Sequence, residues 1–269
     1  MKGKVLVIAG SDSGGGAGIQ ADIKTITSLG GYAMTALTAL TAQNTLGVHA
    51  VHEVPLDFIE KQIRVCLDDL GADAIKTGML NSAKVIERIV TVLADYPSIP
   101  IICDPVMRAK GGAPLLEEDA QSALKELLLP RSYAITPNVP EAEALSGMRI
   151  ETPTDLTRAG KVLCKIGCQL ALMKGGHLTT PTMTDLLVSR KTAQTLSTGR
   201  ERSLSRHTHG TGCTLAAALA IGVAQGLDAY SAANQAVEYV ASAMQNAPGF
   251  GKGHGPLNHA WKYAPKVLS

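Results

Sequence analysis

Aromatic residues make up only 3% of the 269-residue chain, with two Phe and one Trp. So few ring faces argue against a surface that stacks nucleic-acid bases. Charge of one sign is also missing: the net charge is +2. The one locally basic run, Arg200 to Arg206, is interrupted by Glu201 and carries no aromatics, so it reads as a solvated loop. No nucleic-acid partner is expected. Nor is a membrane: the longest apolar run, "CTLAAALAIGVA", is shorter than the ~20 residues that span a bilayer. The amino-terminal "MKGKVLVIAGSD" reaches Gly-Ser-Asp after about five apolar residues, short of a secretory h-region, and reads as a buried first strand. The five cysteines are odd in number and form no paired framework, which fits reduced thiols in a cytoplasmic protein. Cys164 and Cys168, four apart in a helical pattern, are expected to share a buried face rather than to bind zinc. Repeats, low-complexity segments and Pro/Ser-rich linkers are absent too, so residues 1–269 are expected to form a single domain.

What is present is alternation. Strand patterns at Val5–Ala9, "GYAMTALTAL", Ala74–Thr77, "IPIICD", "YAIT" and "LALM" alternate with helix patterns at Ile19–Leu29, Leu56–Asp69, Ala83–Leu93, Ala120–Leu128 and after Asn138. "VHAVHEV" reads as a short hairpin or flap, and "TDLLVS" with "AQTLST" as an antiparallel hairpin turning at Arg190-Lys191. An apolar helix after Cys213 and an amphipathic one over Tyr230–Asn246 complete the pattern. Such βα units imply an α/β fold with a mostly parallel sheet flanked by helices. Asp104, Asn138 and Lys174 fall just past strand ends, where open α/β sheets bind ligands.

Six stretches could carry chemistry. The glycine loop "GSDSGGGAGIQAD" lacks the Gly-Lys-Ser/Thr of a P-loop and reads as a small-molecule loop or a plain tight turn. In "TALTAQNT", Gln43 and Asn44 offer amides that could read a heterocycle edge or simply end a strand. Asp104 in "CDPVM" suits a metal–phosphate site or an Asx turn. Asn138 and Glu141 could face magnesium, but their spacing by itself describes a capping box. Lys174 in "LMKGGH" could hold a nucleotide phosphate or be solvated. In "HTHGTGCTLAAALA", the backbone amides of Gly210, Thr211, Gly212 and Cys213 open a helix and could stabilise a phosphoryl group in transfer. Cys213 is either a small packed residue or a proton acceptor whose pKa the helix end would lower. A Cys213–His209 hydrolase and a catalytically silent ligand sensor are the competing classes.

The ordered set "GSDSGGGAGIQADIKT", "TALTAQNT", "GML", "DPVM", "TPNVPEA", "LMKGGH" and "HGTGCTLAAALA", spread over residues 10–220, closely resembles the hydroxymethylpyrimidine/phosphomethylpyrimidine kinases of thiamine biosynthesis, in the ribokinase-like superfamily. The resemblance implies a central, mostly parallel sheet with helices on both faces and a small β flap. It implies two phosphoryl transfers from ATP, first to the hydroxymethyl of 4-amino-5-hydroxymethyl-2-methylpyrimidine and then to its monophosphate. Carried over by residue, Gln43 would hydrogen-bond the aminopyrimidine, and Gly10, Asp22 and Met79 would line its pocket. Asp104, Asn138 and Glu141 would lie around Mg²⁺, largely through water, with Asn138 and Lys174 on the ATP side. Gly210, Thr211 and Gly212 would form the anion hole and Cys213 the base or its stand-in. A homodimer is expected. The chain departs from the family at Ser13-Gly14, where proline or serine is common, and many ribokinase-like enzymes carry aspartate where Cys213 stands. A vitamin B6 kinase acting on pyridoxal or pyridoxine is the nearest rival, since it too phosphorylates a hydroxymethyl on a heterocycle.

Overall fold

The structure is a computed structural model that describes residues 1–108, 112, 115–116, 118–176, 178, 184–196 and 205–263. The elements run β1 (Lys4–Asp12), α1 (Gly18–Ser28), β2 (Tyr32–Asn44), β3 (Gly47–Glu53), α2 (Leu56–Asp69), β4 (Ala74–Thr77), α3 (Ala83–Leu93) and β5 (Ile101–Cys103). They continue with α4 (Glu118–Ala123), β6 (Ala134–Ile135), α5 (Val139–Ser146), α6 (Pro153–Ile166), β7 (Leu170–Met173), β8 (Leu186–Ser189), β9 (Ala193–Thr195), α7 (Thr211–Ala224) and α8 (Ala229–Gln245).

One nine-stranded sheet runs in the order β3-β2-β1-β4-β5-β6-β7-β8-β9. The six strands from β2 to β7 are parallel, and antiparallel pairs close both edges. Alternate side chains feed two cores, as the period of two requires. Leu6 and Ile8 of β1 pack with Ile59, Ile63, Ile86 and Ile89 on the face of α2 and α3. Val5, Val7 and Ala9 pack with Leu215 to Ile221 of α7 on the other. This is the α/β fold with helices on both faces that the alternation implied. β3 is exposed along most of its length and extends β2 as a ribbon, the small flap.

The Ala-rich sequence of α7 has a packing reason. Ala216, Ala217, Ala218 and Ala220 are fully buried, and a Cβ on Gly222 would lie 3.0 Å from that of Ala232 in α8. Small side chains let the helix lie close on the sheet and on its neighbour, which fixes where its first turn ends up.

Some local readings shift. The helix expected over Ala120–Leu128 begins at Glu118 and passes into a π-helical turn at Leu124–Leu128. Cys168 lies beyond Gly167, which ends α6, so the two cysteines do not share a helix; their sulfurs still meet at 3.9 Å, both buried. The end of "AQTLST" and residues 200–204 of the basic run lie outside the described residues.

Candidate functional site

The carboxyl ends of the parallel strands meet the amino end of α7 at one edge of the sheet. Asp104 follows β5, with its side chain 1% exposed. Its Oδ1 accepts from Thr136 Oγ1 at 3.0 Å and lies 3.7 Å from Lys174 Nζ, just past β7. Its Oδ2 is buried without a protein partner. Lys174 also lies 3.9 Å from Glu141 Oε2. It is therefore a shielded counter-charge between two carboxylates, not a solvated lysine. Burial alone would lower its pKa, but Asp104 and Glu141 hold it raised.

Asn138 and Glu141 form the capping box that their spacing describes. The Asn138 amide donates to Glu141 Oε2 at 2.8 Å, and Glu141 N–H donates to Asn138 Oδ1 at 2.9 Å. The cap and the site are not alternatives: capping α5 is what aims the Glu141 carboxyl at Lys174. Burial pushes that carboxyl up to about 7, against the attraction of Lys174.

Opposite stands the first turn of α7. A Cβ on Gly212 would lie 3.5 Å from Lys174 Nζ and 3.6 Å from Asp104 Oδ2, so the start of α7 comes close to the ammonium and the orphaned carboxylate oxygen at Gly212. Gly210 caps the helix at φ +83°, a conformation that suits glycine.

Cys213 is half-buried. The sequence reading lowered its pKa through the helix end. In the structure burial pushes it up to about 12; Lys76 pulls the other way, while Asp22 and Asp104 add to the rise. Desolvation beside two carboxylates outweighs the pull of Lys76 and the Gly18 N–H, and the thiol is held well above its ordinary range.

Lys76 and Asp22 form a fully buried ion pair at 2.8 Å. Sequence reading missed Lys76 because "AIKT" is otherwise an apolar strand. Burial alone would lower Lys76, yet Asp22, Cys213 and Asp104 keep it charged. Asp22 therefore sits beneath the site, tied to Lys76, with Oδ1 unpartnered.

On the other side of the glycine loop, Gly10 marks a register shift in β1, and a Cβ there would strike the Met79 side chain. Gln43 is half-buried at the end of β2; its backbone pairs with Ser13 Oγ, which both donates to the Gln43 carbonyl and accepts its N–H at 2.9 Å. Asn44 accepts from Leu46 and Gly47 N–H, so of the two amides it makes the turn and Gln43 is the one left to face inward.

The hydrolase reading loses its geometry. His209 Nε2 meets Asp12 Oδ2 at 2.9 Å, so the histidine is committed to that carboxylate in place of activating the thiol. Among the described residues there is no cluster of three or more His, Cys, Asp or Glu fit for a metal. No helix of the described residues is long and apolar enough to cross a membrane.

Known proteins match most of this chain. The family model described as phosphomethylpyrimidine kinase matches residues 12–258. A hydroxymethylpyrimidine/phosphomethylpyrimidine kinase of Bacillus subtilis is 49% identical, over 95% of this chain and 94% of the relative. A counterpart in Haemophilus influenzae is 44% identical over 97% of each. Among solved structures, Bacillus subtilis pyridoxal kinase in complex with ADP aligns at a TM-score of 0.88 and 35% identity, covering 97% of this chain and 98% of that one. A phosphomethylpyrimidine kinase of Clostridium difficile aligns at 0.80 and 39%, covering 89% and 98%. By sequence and by fold, this chain belongs to the phosphomethylpyrimidine kinase family.

Proposed function

We propose that the chain transfers the γ-phosphoryl group of ATP to the hydroxymethyl oxygen of 4-amino-5-hydroxymethyl-2-methylpyrimidine, and then a second phosphoryl group to the monophosphate. One observation carries this reading: Gly212 in the first turn of α7, Lys174 and the free oxygen of Asp104 come together in one place. That is a clamp for phosphate oxygens, with donors on one side and a carboxylate for a metal on the other.

Phosphoryl transfer through a loose transition state depends on positioning and charge stabilisation more than on covalent help. The Gly210, Thr211, Gly212 and Cys213 amides would bind the equatorial oxygens, and Lys174 would hold the nucleotide phosphates as a point charge, with Asn138 beside it. Gln43 would hold the ring amine, with Gly10 and Met79 packing the ring. In the first transfer a bond forms from the hydroxymethyl oxygen to phosphorus, the β–γ bridging bond breaks with the electron pair leaving on ADP, and the hydroxyl proton leaves late onto an oxygen of the transferred phosphoryl group, with the Cys213 thiol positioned beside the attacking hydroxyl.

Two carboxylates with one unpartnered oxygen suit Mg²⁺, which binds through one or two carboxylates and keeps several waters, rather than a metal that needs an all-protein cage. Asp104 and Glu141 would hold it, and when bound it would supply positive charge to the β- and γ-phosphates.

A B6 kinase is the second reading, favoured by the likeness to the pyridoxal kinase fold. ADP release measured with the pyrimidine, its monophosphate and pyridoxal decides between them: turnover of both pyrimidines is expected, and turnover of pyridoxal alone would overturn the first reading. The reading extends to one domain over 1–269, and to a cytoplasmic homodimer. The exposed Leu40, Leu46 and Val51 on the flap ribbon support the dimer.

A further inference from the structure

Asp12 and His209 take no part in the transfer just described, yet they join its two halves. Asp12 ends β1 and is 2% exposed. Its Oδ1 accepts from Gly14 N–H at 2.8 Å; its Oδ2 accepts from Gly16 and Ala17 N–H at 3.0 and 2.8 Å and from His209 at 2.9 Å. Burial alone would raise the Asp12 pKa, but the His209 bond and the backbone donors outweigh it and keep the carboxylate ionised. An ionised Asp12 requires a proton on His209 Nε2. The same Nε2 lies 3.4 Å from the Gln43 side-chain nitrogen. Two donors cannot bond to each other.

Turning the Gln43 carboxamide over removes the conflict. Its oxygen then lies 3.4 Å from His209 Nε2, where it shares, as the weaker acceptor of a three-centre bond, the one N–H that goes mainly to Asp12. Its NH₂ faces Thr41 Oγ1, now 3.2 Å from Gln43 Oε1, and the Thr41 proton goes to the Ser11 carbonyl at 2.9 Å. We propose that His209, fixed by Asp12, is a positioning residue that sets the polarity of the Gln43 carboxamide, and thereby selects a heterocycle carrying an amino donor beside a ring-nitrogen acceptor over a pyridinol. This rests on the role given to Gln43 under the proposed function. A fixed amide leaves one N–H and one oxygen lone pair for the ligand. An aminopyrimidine edge satisfies both; a pyridin-3-ol satisfies one, and the unmet group costs affinity.

The test compares kcat/KM for the aminopyrimidine, its analogue lacking the 4-amino group, and pyridoxine in the full-length wild-type protein, His209→Phe, Gln43→Ala and the double variant. His209→Phe is expected to raise KM about tenfold for the aminopyrimidine alone, with ATP KM changed less than about twofold. Gln43→Ala then adds nothing in that background, and His209→Gln, which keeps an N–H, restores most of the loss. Asp12→Asn gives the same pattern in smaller size should the Phe variant fail to fold. Equal losses on all three substrates, or additive effects of the two substitutions, would overturn the inference. Wild-type protein inert toward the aminopyrimidine would overturn the functional reading as well, and is told apart because that loss precedes any substitution.

Discussion

The carbonyl oxygen of Gly16 occupies the space a Cβ on Gly210 would need. The loop after β1 and the cap of α7, 194 positions apart in the chain, are thus packed backbone to backbone. Both the positive φ and the contact demand glycine. Gly210→Ala is expected to cost about 1–3 kcal/mol of stability from strain and overpacking. It is also expected to lower turnover more than about 100-fold by moving the amides proposed to bind the phosphoryl oxygens. Urea unfolding and an ADP-release assay check both; a variant with near-wild-type turnover would show that this close approach does not set the anion hole.

Lys76→Met should be among the most damaging single changes in the core. It leaves Asp22 buried without its cation, a loss of about 3–5 kcal/mol. Lys76→Met combined with Asp22→Leu is expected to recover most of that stability in urea unfolding without recovering turnover. A double variant as unstable as the single one would mean that packing, not charge, makes the position critical.

The alternation of strands and helices, and the strand ends at Asp104, Asn138 and Lys174, could be read from the chain because periodicity and turn chemistry are local. Two things could not. The first is whether a local reading is the whole story: the spacing of Asn138 and Glu141 favours a cap, and in the fold that cap also brings Glu141 to Lys174. The second is long-range pairing. Lys76 is hidden in an apolar tetrapeptide, and its partner Asp22 lies 54 positions away; His209 meets Asp12 from 197 positions away. The Cys213 pKa went the wrong way for the same reason, since the helix end is visible in sequence but the burial and the Asp22 and Asp104 charges are not. α6 was missed except at its cysteine end, although Thr152 and Asp155 carry a capping-box signal.

Cys213 meets a different nucleophile in each of the two proposed transfers. The first nucleophile is a hydroxyl that must lose a proton; the second is a phosphate oxygen, already ionised at neutral pH. Cys213→Ser is expected to slow the first transfer by about 10-fold or more with modest change in affinity, and the second by less than about 3-fold. Iodoacetamide labelling of the unliganded wild-type thiol should be slow at pH 8 and quicken as pH rises toward about 12. Equal slowing of both transfers would mean that the thiol does not act on the attacking hydroxyl, and rapid labelling at pH 7 would contradict the raised pKa.

Glu141 carries a stability signature. Its folded-state pKa of about 7 stands above the ordinary 4.5, so the stability linked to its protonated form is complete below about 4.5 and lost as pH rises through about 7. Glu141→Gln keeps an acceptor for the Asn138 N–H and cannot ionise. In metal-free buffer its Tm should match wild type near pH 5 and exceed it at pH 8 by a few degrees, on the order of 1 kcal/mol. A variant less stable than wild type at pH 8 would mean that the Lys174 attraction outweighs burial.

The central claim is that exposed main-chain amides of the α7 turn hold the phosphoryl group in transit. A crystal structure with a non-hydrolysable ATP analogue and the aminopyrimidine alcohol tests it directly. The account expects the γ-phosphate against the Gly210–Cys213 amides, Lys174 on its oxygens, and the hydroxymethyl group turned toward it from Gln43. A terminal phosphate bound away from that turn, or a ring seated away from Gln43, would contradict it.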